Sequence, residues 1–363
     1  MAMLDEDSPG FLTLSDIETA ASKVVLGPSW AYVKGGAGEE LTMRANREAF
    51  QRKILRPRVL VDVETIDLNT SLLGDKVTAP FYVSPTAYQG LLHSDAELGT
   101  ARAAGSAGIL GIFSTISSRS LEDIAKAAPK GQRWFQLYLQ PEAKTTESLV
   151  KRAERAGYTA LVLTVDAPVF GNRDQTVLGG FNVGSIPLGN GTDVFPPSRP
   201  TLYGQLYKTR KEASATWDAL DRLQEITSLP ILVKGILTAE DARLALDHDA
   251  RGVIVSNHGG RQLDQAPASL DALPQVVEEV GSEAEVYMDS GIRRGSDILI
   301  AIATGAKAVG LGRLVLWALA AGGEAGVAKM IGLLKEDLAT TMALTGRRTI
   351  SEIDRSVLAK KAQ

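Results

Sequence analysis

Residues 231–256 read ILVKGILTAEDARLALDHDARGVIVS. A short β-branched run, Ile231–Lys234, gives way to a stretch rich in Ala, Glu, Leu and Arg, Ala239–Leu246, and then to a second β-branched run, Gly252–Ser256. That order predicts strand, helix, strand. The same alternation extends outward on both sides. Upstream candidate strands are Phe81–Ser84, Ile109–Ser114, Trp134–Leu139 and Ala160–Asp166, and downstream ones are Glu285–Asp289 and Ala308–Gly312. Helical segments such as Thr145–Ala156 and Gly295–Ala303 lie between them. Eight strands alternating with helices predict a parallel sheet, and eight is the number that closes an α/β (β/α)8 TIM barrel.

The chain reads as one domain, with residues 1–62 as short N-terminal helices that cap a barrel over 63–355. One connection is anomalous. Between Asp174 and Thr216 lie roughly forty residues rich in Gly, Pro, Asn and Tyr, including GGFNVGSIPLGNGTDVFPPSRP. A loop that long inside a compact domain is usually a lid or disordered. It leaves the C-terminal end of the fourth strand, the end where barrel enzymes keep their active sites.

Composition narrows the function. With 363 residues, 44% of them hydrophobic, the chain can bury a core without disulfides or metals. It contains no cysteine, which excludes disulfide scaffolds, thiolate metal sites and cysteine nucleophiles. A net charge of -4 gives no reason to expect a nucleic-acid partner. The start, MAMLDEDSPG, lacks the layout of a signal peptide, and KKAQ at the end is not a peroxisomal address. The longest apolar run, around Leu314 to Ala321, falls short of the roughly 18 to 20 residues that span a bilayer. A cytoplasmic protein with no membrane partner is expected.

The polar residues fall at strand ends. Gln136 and Tyr138 end the third strand, Thr164 and Asp166 the fourth, and Lys234 the fifth. Ser256, Asn257 and His258 end the sixth, Asp289 the seventh, and Gly312 with Arg313 the eighth. Any one of these is ordinarily satisfied by loop backbone; all of them in one barrel mouth argue a site. The loops after strands seven and eight, Asp289-Ser-Gly-Ile-Arg-Arg-Gly295 and Gly310-Leu-Gly-Arg313, suit a phosphate. Their glycines let backbone N–H groups approach an anion, and Arg293 and Arg313 offer forked donors. Lys234 either snorkels out of its strand or places its charge in the mouth.

The segment Ser256-Asn-His-Gly-Gly-Arg-Gln-Leu-Asp264 holds one of only three histidines. A lone histidine is ordinarily structural. This one has an arginine close by in sequence and, in Asp166, a carboxylate at another strand end that can orient the ring, as a base needs.

SNHGGRQLD resembles the signature of the FMN-dependent L-2-hydroxy-acid oxidases and dehydrogenases, the family of glycolate oxidase, lactate oxidase, mandelate dehydrogenase and flavocytochrome b. Tyr32 in AYVKGGAGEE, Pro85-Thr-Ala87, Phe135-Gln-Leu-Tyr138, Leu163-Thr-Val-Asp166, Arg173 in GNRD, LPILVKG and DSGIRRG follow in the family's order, from about residue 12 to 355. The resemblance implies that His258 takes a proton during oxidation at the substrate's α-carbon. Arg261 and Arg173 would clamp the carboxylate, with Tyr32 as a further donor. Tyr138 would bond the substrate hydroxyl, and Asp166 would support the imidazolium. The implied FMN contacts are the Thr86–Ala87 backbone, Ser114, Gln136, Thr164, Lys234, Ser256, Asp289, Gly291, Arg293, Gly312 and Arg313, with Lys234 stabilising a reduced, anionic ring.

The chemistry agrees with that reading. Oxidising an α-hydroxy acid takes a cationic clamp, a base and an electron sink, and no natural side chain supplies the third. No Gly-x-Gly-x-x-Gly run follows a strand to favour NAD. Ala87 matches the family's oxidases, where mandelate dehydrogenase-like members carry Gly, so O2 is the expected acceptor and hydrogen peroxide a product. Ile116 stands where glycolate oxidase-like members carry Trp and lactate oxidase-like members Tyr, so the pocket should be roomier and apolar and take a mandelate-like or lactate-like acid. Tyr88 partly refills that space or packs against the barrel, and Tyr203 and Tyr207 of the long loop are expected to close over the ligand. Leu314 departs from the family's usual Pro. Three alternatives compete: a quinone-reducing dehydrogenase, an FMN barrel isomerising a phosphorylated substrate, and a non-catalytic flavin-binding barrel. By resemblance the enzyme is a homotetramer.

Overall fold

The computed structural model describes residues 10–181, 188–191 and 214–359. Three helices come first: α1 (Ile17–Val24), α2 (Gly27–Lys34) and α3 (Leu41–Gln51). An antiparallel hairpin follows, β1 (Thr70–Leu72) and β2 (Asp75–Val77). The eight expected strands then form: β3 (Phe81–Val83), β4 (Gly111–Ser114), β5 (Arg133–Leu137), β6 (Leu161–Thr164), β7 (Ile231–Ile236), β8 (Gly252–Val255), β9 (Glu285–Asp289) and β10 (Val309–Leu311). They close a parallel barrel in the order β10-β3-β4-β5-β6-β7-β8-β9. Several expected strands run shorter because their last residues, Tyr138 and Asp166 among them, leave the ladder for the mouth.

Helices fill the crossovers: α4 (Ala96–Ser106), α5 (Leu121–Ala127), α6 (Ala143–Arg155), α7 (Asp174–Leu178), α8 (Asp218–Ile226), α9 (Ala239–Asp247), α10 (Ser269–Val280), α11 (Gly295–Thr304) and α12 (Arg313–Leu344). Local chemistry starts them. Thr238 caps α9 by accepting the Asp241 N–H, and Ser120 caps α5 by accepting the Asp123 N–H; each such cap is worth about 1 kcal/mol. Helix α12 is long and apolar enough to cross a membrane by length and composition, beyond the expected run at Leu314 to Ala321, because alanines and glycines extend it. Its backbone breaks at Gly322–Gly323, and 67% of its apolar stretch is buried against neighbours that include α4, α1 and α11.

A two-residue period explains the barrel's interior. Tyr82, Leu110, Ile112, Trp134, Val162, Leu232, Ile254 and Tyr287 meet in one buried apolar cluster, which Leu72 and Val77 of the hairpin join. The residues between them, such as Phe135, Leu163, Val233 and Met288, belong to the larger cluster shared with the helices. Two positions further along each strand the inward series turns polar: Gln136, Thr164, Lys234, Ser256 and Asp289, all buried. Burying polar groups costs free energy unless each is paired, so this layer is where a function is to be sought. Of the long connection after β6, the structure describes only its two ends and Leu188–Gly191; Tyr203 and Tyr207 lie outside the described residues.

Candidate active site

The polar layer is a connected network. Gln136 Oε1 accepts from the Ser114 hydroxyl at 3.0 Å and the Thr115 N–H at 3.2 Å, and Gln136 Nε2 donates to Thr164 Oγ1 at 3.1 Å. Lys234 Nζ donates to Ser256 Oγ at 2.9 Å, which in turn donates to Asp289 Oδ1 at 2.6 Å. The same ammonium lies 3.4 Å from Asp289 and 4.0 Å from Asp166. Burial works to lower its pKa, but the two carboxylates outweigh that and hold it above the ordinary lysine value. Lys234 therefore stays charged rather than snorkelling out. Gly235 makes the placement possible: the register of β7 on β8 shifts there, φ is +112°, and a Cβ would sit 2.5 Å from that of Asp166.

Beyond β8 the chain turns through three consecutive left-handed residues, His258 (φ 58), Gly259 (φ 69) and Gly260 (φ 73). The conformation costs a histidine about 1–2 kcal/mol, so other contacts must hold it. Ser256 Oγ accepts the His258 N–H at 3.1 Å, and Asn257 Oδ1 accepts the Gly260 N–H at 3.0 Å. Asn257 and Asn46 exchange side-chain hydrogen bonds at 2.9 and 2.8 Å. His258 Nδ1 then lies 2.8 Å from Asp166 Oδ1, which leaves Nε2 as the nitrogen that can serve a substrate. Burial pushes the imidazole below its ordinary pKa; Asp166 pulls it up, Lys234 and Arg173 push it down, and the net is a lowered value. Burial opposes ionisation of Asp166 too, but His258 and Lys234 prevail and keep it below the usual carboxylate range. The pair is thus a neutral imidazole beside a carboxylate, the state a general base needs.

Four half-buried arginines line the mouth. Arg261 Nη1 donates to the carbonyls of Tyr32 at 2.8 Å and Gly35 at 2.5 Å, and its guanidinium lies 5.0 Å from the Tyr32 ring centroid. Arg173 Nε donates to the Arg261 carbonyl at 3.2 Å and its Nη2 to Gln262 Oε1 at 3.1 Å. Arg313 donates to the carbonyls of Val33, Gly259 and Gly35. Arg293 donates to the Ile292 carbonyl and stacks on Trp317 at 4.6 Å. Burial, aided by Arg173, lowers Arg261 to about 10; burial and Arg47 lower Arg293 to about 10. Arg313 falls further, through burial and then the charges of Arg261, Arg293 and Arg173. Among the described residues none of the four is in an ion pair with a carboxylate. A half-buried cationic wall of this kind is stabilised by anionic ligands.

An apolar wall faces it. Ile116, Tyr138 and Ala167 cluster with Ala87, Tyr88 and Leu188, and the Tyr32 ring meets Tyr88 edge-on at 6.0 Å and stacks on Phe181 at 4.3 Å. The loops carrying Ala87–Tyr88 and Ile116 are tied together by Glu97, fully buried on α4. Its carboxylate accepts the N–H groups of Gln89 at 3.1 Å, Ser118 at 2.8 Å and Arg119 at 3.2 Å. Burial nevertheless pushes its pKa up.

Within the SNHGGRQLD motif the structure divides the labour. Ser256, His258 and Arg261 belong to the mouth. Gln262 Nε2 donates to the carbonyls of Asp166 and Val169, both at 2.9 Å, so one side chain positions Arg173 and the Asp166 loop. Asp264 accepts the N–H groups of Glu39 and Thr42 at 2.9 Å, which caps α3 and fixes the N-terminal segment bearing Tyr32. Gln262, Ala167, Phe181 and Leu188 were not foreseen. Gln262 could have been, from its place beside Arg261; Phe181 and Leu188 sit in a stretch with no periodicity to give their register. Tyr207, expected in the pocket, lies outside the described residues.

A family model for FMN-dependent dehydrogenase matches residues 21–360. The chain belongs to that family. It is 44% identical to 2-hydroxyacid oxidase 2 of Homo sapiens over 345 residues, 95% of this chain and 97% of that protein. It is also 44% identical to L-lactate oxidase of Nostoc sp. over 356 residues, 96% of this chain and 98% of the relative. Among solved structures, mandelate oxidase with (S)-2-phenylpropionate aligns at a TM-score of 0.87 and 39% identity, covering 97% of this chain and 98% of that one. FMN is the family's cofactor, and the residues present fit it. Arg293 and Arg313, in no ion pair with a carboxylate among the described residues, suit a phosphate. The buried hydroxyl of Ser84 has no hydrogen-bond partner among the described residues. A Cβ on Gly312 would find nothing nearer than Thr86 at 3.9 Å, so the space above this loop is open.

Proposed function

We propose that this enzyme oxidises a small L-2-hydroxy acid with an apolar side chain to the 2-keto acid, with O2 as acceptor and hydrogen peroxide as the second product. The observation that carries the reading is one juxtaposition: an imidazole at His258 held 2.8 Å from the Asp166 carboxylate, in a mouth that also carries Arg173, Arg261 and the apolar cluster at Ile116. FMN, when bound, supplies the two-electron sink.

The chain's own groups do the rest. Arg173 and Arg261 neutralise and orient the substrate carboxylate, and the Tyr32 hydroxyl adds a donor. Tyr138 bonds the substrate hydroxyl. His258 takes one proton during oxidation at the α-carbon, and the Asp166 carboxylate, 2.8 Å from Nδ1, stabilises the imidazolium that results. Lys234, charged and fixed between Asp289 and Asp166, would hold a positive charge against bound FMN. The ring would rest on the Thr86–Ala87 backbone, Ser114, Gln136, Thr164 and Ser256. Asp289 would be a further FMN contact, and Gly291, Arg293, Gly312 and Arg313 would hold its phosphate.

Ala87, as in the family's oxidases, supports oxygen as acceptor. The resemblance also supports a homotetramer, which light scattering reads directly. The test of the reading is product analysis in air. Incubation with L-mandelate or L-lactate should yield one keto acid and one peroxide per O2 consumed, and the D-acids should yield neither. Keto acid formed only when a quinone is added would make the enzyme a dehydrogenase instead.

A further inference from the structure

The segment Leu188–Gly191 is a tight turn, closed by the Gly191 N–H on the Leu188 carbonyl at 3.3 Å. At its centre Asn190 is buried, 6% exposed, and both ends of its side-chain amide are paired. Its Oδ1 accepts the first N–H of α5, from Leu121, at 2.9 Å. Its Nδ2 donates to the carbonyl of Thr115 at 3.0 Å and, more weakly, to that of Ser114 at 3.4 Å. Its own carbonyl accepts from Arg152 at 2.9 Å, an arginine also paired with Glu122 at 2.7 Å. Next to it the Gly189 N–H donates to the Ser117 carbonyl at 2.9 Å, so closely that a Cβ on Gly189 would meet the Arg119 carbonyl carbon at 1.9 Å.

These contacts pin the turn to the β4–α5 connection, the same connection that carries Ile116. The result is that Leu188 packs into the cluster of Ile116, Tyr138 and Ala167, across from Ala87 and Tyr88. The space left by an aliphatic residue at position 116 is thus partly taken by a leucine from a different loop, and that leucine has no freedom to withdraw while Asn190 is seated.

We propose that Leu188, seated by Asn190, is a specificity-determining residue that limits the size of the 2-hydroxy acid's side chain. The inference rests on the proposed substrate class and deepens it. The two are separable, because glycolate carries no side chain to meet Leu188 whereas every 2-hydroxy acid uses the carboxylate clamp.

The experiment compares kcat/KM of the holoenzyme for glycolate, L-lactate and L-mandelate in the wild type, Leu188→Ala, Leu188→Phe and Asn190→Ala. A pocket wall discriminates about 10-fold or more per methylene-sized change. The mandelate-to-lactate ratio should therefore rise by about tenfold or more in Leu188→Ala and fall by a similar factor in Leu188→Phe, while glycolate moves by less than about threefold in both. Asn190→Ala should move the ratio in the same direction as Leu188→Ala, with the flavin absorbance spectrum unchanged. Leu188 is only half-buried, so its variants should fold and keep the comparison interpretable. A ratio within about twofold of wild type in both Leu188 variants, with glycolate still turned over, overturns the inference and leaves the substrate class standing. If Leu188 variants shift the ratio and Asn190→Ala does not, the seating role of Asn190 is wrong. A wild-type enzyme that oxidises none of the three acids overturns both readings.

Discussion

Replacing Asp166 by Asn isolates the electrostatic half of the catalytic pair. The amide is nearly isosteric and its oxygen can still accept from His258 Nδ1, now 2.8 Å from Oδ1, so the ring's orientation is largely kept. What disappears is a buried negative charge in contact with an imidazole that must become cationic. A hydrogen bond to a charged group contributes about 1.5–3 kcal/mol, and two charges about 4 Å apart near a protein interior interact by about 4 kcal/mol at an effective dielectric of 20. Each 1.4 kcal/mol is about tenfold in rate, so flavin reduction should slow by about tenfold to a thousandfold. KM should change by less than about threefold, because Asp166 touches no part of the carboxylate clamp.

The pH profile supplies an independent sign. Asp166 raises the His258 pKa against the lowering by burial, Lys234 and Arg173. Without it the pKa drops further, so the neutral base survives to lower pH and the acidic limb of kcat/KM shifts down even as the plateau falls. Stopped-flow bleaching under argon across pH 4.5–9 reads both. An unchanged plateau, or an acidic limb shifted upward, would refute the assignment of Asp166 as the imidazolium's partner.

Two further substitutions test the clamp and the scaffold. Arg261→Lys removes the fork that can bind a carboxylate bidentately, so steady-state kinetics should show KM for the acid raised by tenfold or more, with absorbance spectra showing FMN retained. Glu97→Ala leaves the buried N–H groups of Gln89, Ser118 and Arg119 without their acceptor. At about 1–3 kcal/mol for an unsatisfied buried group, thermal unfolding should begin several degrees lower, whereas an unchanged transition would show that water or a shifted loop replaces the carboxylate at no cost.

The barrel was legible because its strands are buried on both faces. Runs such as Ala160–Asp166 and Gly252–Ser256 are apolar throughout until their last residues, and those polar endings marked the mouth as well as the strands. His258 and Arg261 stood out because their motif pairs rare residues with glycines that the left-handed turn requires. The hairpin at Thr70–Leu72 and Asp75–Val77 left no such trace: three-residue strands are too short to show a period, and Leu72 and Val77 acquire meaning only once they meet the barrel's apolar floor. Length misled at α12 for the opposite reason. Glycines and alanines after Ala321 looked like the end of an apolar run, but the helix bends at Gly322–Gly323 and continues to Leu344. Roles that depend on contacts between distant loops, those of Glu97, Leu188 and Asn190, are set by tertiary geometry, and no local pattern announces them.

The most direct measurement bleaches the bound flavin anaerobically with L-mandelate or L-lactate and then admits oxygen. A 2-hydroxy-acid oxidase should bleach completely with at least one of the acids and recover its flavin absorbance fast, with one peroxide per flavin. Bound FMN that neither acid bleaches would contradict the substrate class. Bleaching followed by sluggish recovery would contradict oxygen as the acceptor.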